Sequence, residues 1–180
     1  MHQLLLLRHA KSSWDDPSLP DRDRSLNKRG RRSAAVMRDA MRKLGLAPDV
    51  VLVSAARRTQ ETLAALEPWD ETPLVEPMEA LYLASAEQLL AILRGITETA
   101  RSVLVIGHNP GMHELAAMLI AGHTSITHGE LALASGFPTA ALAEFSIASP
   151  WWQLAAGGGR LVRFVTPRDL RDGDLPETAT

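Results

Sequence analysis

Three short apolar runs in this sequence each end in residues that chemistry uses. Leu4–Leu7 is followed by Arg8-His9-Ala10, Val50–Val53 by Ser54-Ala55-Ala56-Arg57-Arg58, and Ser102–Ile106 by Gly107-His108-Asn109-Pro110-Gly111. Imidazole titrates near neutrality and can serve as base or nucleophile. Guanidinium is permanently charged, and its forked donors match the oxygens of a phosphate. A lone His or Arg after a strand is ordinarily structural. Core packing gives no reason, however, for separate strand ends to deliver His, Arg and His together. Their joint placement predicts an anion pocket, with a compact tetrahedral anion such as phosphate as its simplest occupant. The Gly107–Gly111 segment also starts a helix, where free N–H groups and the dipole favour negative charge.

The elements that must position these residues can be read in outline. Short continuous apolar runs fit strands buried on both faces, as in parallel sheets. Between them, Asn27 is a plausible N-cap for a helix running to about Leu44, with Gly45 as its stop. Thr59 to Glu67 reads as a helix closed by Pro68, Ser85 caps another through Leu93, and Pro110 opens a fourth carrying Leu115, Ala116, Leu119 and Ile120. The stretch from Pro73 to Leu83 has no clear pattern. Thr139 to Ile147 and Leu161 to Val165 read as strands that pair antiparallel across Gly157-Gly158-Gly159. The alternation predicts an α/β fold: a single three-layer sandwich with a mostly parallel central sheet, one antiparallel strand near the C-terminus, and ligands beyond the carboxyl ends of the strands. The domain is expected over residues 1–167, with 168–180 as a polar, fraying C-terminal tail.

Composition narrows the function. The 180 residues are 46% hydrophobic and 22% charged, which suits one globular domain. A formal net charge of −2 argues against a nucleic-acid partner. Arg22, Arg24, Lys28, Arg29, Arg31 and Arg32 crowd one stretch, read mostly as a solvated helix face. With no Cys, disulfides, thiol catalysis and thiolate metal sites are excluded. Four leucines are too few for a signal core, and no run approaches a membrane span, so a cytoplasmic protein with no membrane partner is expected. Neither the His108/His113 pair nor the His123/His128 pair has zinc-ligand spacing, and no metal or other cofactor is expected. For Trp151-Trp152 the expectation is core or rim packing, with substrate stacking or a dimer contact as alternatives.

The residues also carry a resemblance. Leu7-Arg8-His9-Ala10 is similar to the Arg-His-Gly signature of the histidine phosphatase superfamily. Ser54 to Thr62 resembles its Ser-Pro-x-x-Arg-x-x-x-Thr signature, with Arg58 and Thr62 in register. Gly107-His108-Asn109-Pro110 resembles the second-histidine motif, and Arg24-Ser25-Leu26-Asn27 with Gly30 resembles the Arg-Pro-Leu-Thr-x-x-Gly element. The order holds from about residue 4 to residue 165, and the short length is closest to the SixA-type phosphohistidine phosphatase branch. Ala10 departs from the usual Gly, Ala55 from Pro, and Ser25 and Asn27 from Pro and Thr.

The resemblance implies a phosphoglycerate-mutase-like fold and a metal-independent phosphatase working through a phosphohistidine. His9 would be the nucleophile, and Arg8, Arg58 and His108 would hold the phosphoryl oxygens. Glu79 would be the proton donor, with Glu76 as its rival. Arg24, Asn109 and Ser54 would bind substrate, while Arg57 would be a surface neighbour. The substrate is expected to be a phosphohistidine-bearing protein. The alternatives are a small phosphorylated molecule such as a sugar phosphate, or a phosphate-binding module without turnover.

Overall fold

The computed structural model describes residues 1–124 and 126–173. Six strands form one sheet: β1 (His2–Arg8), β2 (Val50–Ser54), β3 (Leu74–Met78), β4 (Ser102–Gly107), β5 (Leu142–Ile147) and β6 (Gly159–Val165), in the order β3-β2-β4-β1-β5-β6. β3, β2, β4 and β1 run parallel, and β5 is antiparallel to both β1 and β6. The strand period of two divides the leucines of β1 between two cores. Leu4 and Leu6 join Val103 and Val105 under α3 (Ala86–Arg94), α4 (Gly111–Leu119) and α5 (His128–Ser135). Leu5 and Leu7 join Leu104 and Ile106 under α1 (Lys28–Lys43) and α2 (Arg57–Leu66), where Leu170 of α6 (Pro167–Arg171) also packs. Each fully buried leucine contributes about 1.5–3 kcal/mol of transfer free energy, so the layer order follows from this pattern.

The expected caps form. The Asn27 side chain accepts from Gly30 N at 2.8 Å, and Ser85 builds a capping box with Gln88. Gly45 ends α1 at φ +66°, in the left-handed region. Three readings need correction. The unpatterned stretch after Pro73 contains β3, and α5 has no counterpart in the predicted elements. The chain after Pro167 begins as a helix, because Thr166 caps it through Asp169 and Leu170 packs inward. The expected tail beyond Gly173 lies outside the described residues.

Candidate active site

Register brings the expected residues to one rim. Arg8 pairs with Gly107 across the β1–β4 ladder, Val53 pairs with Ile106 across β2–β4, and His9 N donates to Gly107 O at 3.1 Å. The three strand ends therefore finish level, and the residues after them meet.

His9 is held from several directions. Its Nδ1 lies 2.7 Å from the carbonyl oxygen of Ala10, so Nδ1 carries the proton and Nε2 keeps its lone pair. The next peptide is fixed by Thr62, which accepts the Ala10 N–H at 3.0 Å and donates to the Arg58 carbonyl at 2.7 Å. Ala140 N–H reaches the carbonyls of both Arg8 and His9 at 3.1 Å, and Ala140 holds φ +59° to do so, a strained conformation for a residue with a Cβ. Gly30 lets the first turn of α1 approach the same loop, since a Cβ there would lie 2.1 Å from Lys11 O.

The ring of His108 sits 5.2 Å from that of His9, centroid to centroid. Ser54 Oγ lies 2.7 Å from its Nε2 and Arg58 Nη2 lies 3.3 Å from its Nδ1. Burial pushes His9 down to about 4, against the pull of the Ala10 hydrogen bond, and Arg58, Arg8 and Arg24 lower it further. Burial likewise pushes His108 down to about 3, assisted by His9 and Arg58 and opposed by Asp21. Both imidazoles are therefore neutral at physiological pH.

Two of the three arginines share a single carboxylate, and Arg8 meets none among the described residues. Arg8 donates from Nη1 to Phe137 O at 3.0 Å, while its buried Nε has no partner among the described residues. Arg58 Nε is likewise unpartnered, and its Nη1 and Nη2 reach Asp21 O at 2.7 Å and Asp21 Oδ2 at 3.0 Å. Arg24 is buried too, reaching Ser12 Oγ at 2.9 Å and Asp21 Oδ1 at 2.9 Å, with Trp14 stacked 3.5 Å from its guanidinium. Asp21 accepts from the Tyr82 hydroxyl at 2.6 Å, and this bond together with Arg24 and Arg58 holds its carboxyl at about 2 despite partial burial.

His9, Arg8, Arg58, His108 and Arg24 thus gather in one place, and Arg57 pairs with Glu61 on the surface. Ser54 lies fully buried, and its hydroxyl meets His108 Nε2 and orients that imidazole. Asn109 donates to Phe137 O at 2.9 Å and leaves its buried Oδ1 without a partner among the described residues. Glu79 stands at the outer rim, 71% exposed at its side chain and paired with Arg22 at 2.8 Å. Glu76 lies exposed in β3, opposite Leu52 and two residues before the strand ends.

Sequence reasoning missed Asp21, Tyr82 and Phe137. Only Asp21 left a signal, since an acid three residues before Arg24 in a short turn is placed to pair with it. The Trp pair lies away from this rim. Trp151 is fully buried and donates from Nε1 to Ala100 O at 2.8 Å, and Trp152 is 62% exposed.

The departures from the family pattern are accommodated. The Ala10 methyl packs with Leu26, Ala34 and Ala140. Ala55 N–H donates to Met78 O at 3.3 Å, a bond that Pro cannot make. Asn27 caps α1 in place of Thr.

Comparison with known proteins agrees with this geometry. The family model of the histidine phosphatase superfamily (branch 1) matches residues 4–82. A chloroplastic protein of Arabidopsis thaliana is 33% identical over 175 residues, covering 92% of this chain and 78% of its own. Two solved structures assigned as the phosphohistidine phosphatase SixA superpose closely. The one from Nakamurella multipartitia has a TM-score of 0.81 at 28% identity, covering 92% of this chain and 96% of that one. The one from Agrobacterium tumefaciens has a TM-score of 0.77 at 31% identity, covering 92% and 98%. Fold and sequence likeness coincide over nearly the whole length, and the chain therefore belongs to the histidine phosphatase superfamily and is a phosphatase.

Proposed function

We propose that this phosphatase hydrolyses phosphohistidine on a protein substrate through a phosphoryl group carried on His9. The observation that carries the reading is a neutral imidazole with Nδ1 committed to Ala10 O and Nε2 unpartnered among the described residues, beside Arg8, Arg58 and His108. The Nε2 lone pair forms a bond to phosphorus as the bond from phosphorus to the substrate nitrogen breaks. The departing imidazole keeps the electron pair and takes up a proton. Water then attacks the phosphoryl group, releasing orthophosphate and restoring His9. Arg8 and Arg58 stabilise the charge on the equatorial oxygens, and a neutral His108 accepts from Arg58 at Nδ1 and steadies that guanidinium beside His9.

The carboxyls at the rim support a phosphoramidate over an alkyl ester. An alkoxide leaving group calls for a general acid that is protonated near neutrality. Asp21 is held at about 2 by Tyr82, Arg24 and Arg58, and Glu79 stands in solvent against Arg22. An imidazole leaving group is far less demanding, because its second nitrogen can be protonated before the bond breaks. The openness of the rim, with Asp21 and Glu79 both exposed, also suits a side chain presented by another protein.

The deciding assay compares kcat/KM for matched phosphohistidine and phosphoserine peptides. We expect a preference of roughly a hundredfold for phosphohistidine, about 2.7 kcal/mol in the barrier. His9→Ala should remove turnover and the acid-labile phosphoenzyme together. Equal rates on the two peptides, or faster hydrolysis of a sugar phosphate, would overturn the substrate assignment.

A further inference from the structure

A groove of about 800 Å³ opens from the site at Arg8 and Asn109 and runs past Lys11 and Arg29 to Arg168 and Arg171. A second depression of about 330 Å³ continues it, sharing Arg29 and Arg171 and adding Arg32. The track therefore follows the seam between α1 and α6. Apart from Arg8, these cations are exposed, and their side chains make no ion pair among the described residues. Among the described residues Asp169 is the one acid lining the track, and its carboxylate is engaged by Thr166 N and Oγ1 at 2.8 Å. Phe137 and Phe164 give the larger groove an apolar floor. In a chain of net charge −2 this run of unpaired cations is a local concentration, not a reflection of overall composition.

We infer that the track binds an acidic segment of the phosphorylated protein, lying beside the residue whose phosphoryl group enters the site. The inference rests on the reading of the site as one that takes a phosphorylated protein. A compact polyphosphate is bound best by donors that converge on one point. Here the cations are strung over two consecutive depressions with apolar surface between them. That spacing fits an extended chain that alternates carboxylates with apolar side chains. Complementary charge of this kind raises the association rate and selects among partners, and it weakens with salt.

The test measures binding of a fluorescein-labelled peptide alternating Glu with apolar residues, and of its Gln counterpart, to the full chain by anisotropy. The Glu peptide should bind about tenfold or more tightly than the Gln peptide. The combined Arg29→Glu, Arg168→Glu and Arg171→Glu variant should erase that difference while hydrolysis of p-nitrophenyl phosphate stays within about twofold. Should the combined variant unfold, Arg29→Glu alone carries the test, because Arg29 has no ionic partner among the described residues to lose. Equal binding of the two peptides, or no effect of charge reversal, overturns the inference. So does tripolyphosphate binding more tightly than the Glu peptide when the two peptides tie, an outcome that assigns the track to a small polyanion. If charge-dependent peptide binding persists while phosphohistidine peptides are not hydrolysed, the groove stands and the phosphohistidine reading falls.

Discussion

The two ends of the sheet treat charge in opposite ways. Toward the amino end of β1, polar groups meet partners: His2 faces Glu98 at 3.5 Å, Gln3 joins Glu144 at 2.7 Å and Ser102 at 2.6 Å, and Arg163 Nε lies 2.6 Å from Glu144. Trp151 seals that end with its indole N–H on Ala100 O. At the carboxyl end, Arg8, Arg24 and Arg58 have one carboxylate between them among the described residues, Asp21, and Arg8 does not touch it. Two imidazoles are buried beside these cations and stay neutral, with Asp21 opposing the shift of His108 only in part. Paired polar groups at one end secure the fold. Buried cations left in excess at the other end store electrostatic potential that an incoming anion releases.

The largest effect should come from the paired end. Trp151→Ala leaves a cavity where the side chain was wholly buried and should cost about 3–5 kcal/mol of stability by urea unfolding. The folded variant should keep its kcat/KM on p-nitrophenyl phosphate. Loss of activity in folded protein would break the division of labour between the two ends. Arg58→Ala reverses the pattern: catalysis should fall roughly 10²- to 10³-fold, as when one preorganised donor is removed from a developing oxyanion. Stability should change little, because the variant also removes a buried charge. A drop of less than about threefold would show that Arg58 does not face the phosphoryl group.

A third effect is graded with pH. His9 and His108 titrate near 6.5 when unfolded but at about 4 and about 3 when folded. As pH falls through 6.5, the unfolded chain takes up protons that the folded chain refuses. Stability should therefore decline between about pH 6.5 and pH 4, by up to about 1.4 kcal/mol per pH unit for each group. Urea midpoints at pH 7, 6 and 5 measure the slope, and combining His9→Gln with His108→Gln should flatten it. An unchanged midpoint in the parent protein from pH 7 to 5 would mean that these rings are not buried neutral.

The same contrast explains what the sequence made visible. Leu4–Leu7, Val50–Val53 and Val103–Ile106 were legible as strands because both of their faces are covered, so each run is apolar throughout. β3 was not, because it is the exposed edge strand and carries Glu76 and Pro77 in its ladder. α5 escaped because Leu131 is exposed and Leu133 buried, which leaves a weak apolar stripe in only two turns. His9, Arg58 and His108 were legible because they follow directly on strand ends or open the next helix. Asp21 and Tyr82 come from two irregular turns 61 residues apart, and no periodicity records that they meet. Ser54 was legible as a strand-end hydroxyl, but its hydrogen bond to the His108 ring is visible only in coordinates.

If His9 carries the phosphoryl group as proposed, the bond from its Nδ1 to the Ala10 carbonyl also decides which chemical isomer forms. With Nδ1 committed, phosphorylation is confined to the tele nitrogen, and the pros isomer has no route. On that proposal, a trapped enzyme intermediate should carry 3-phosphohistidine. It should be stained by an antibody selective for that isomer and left blank by one raised against 1-phosphohistidine, whichever isomer the substrate delivered.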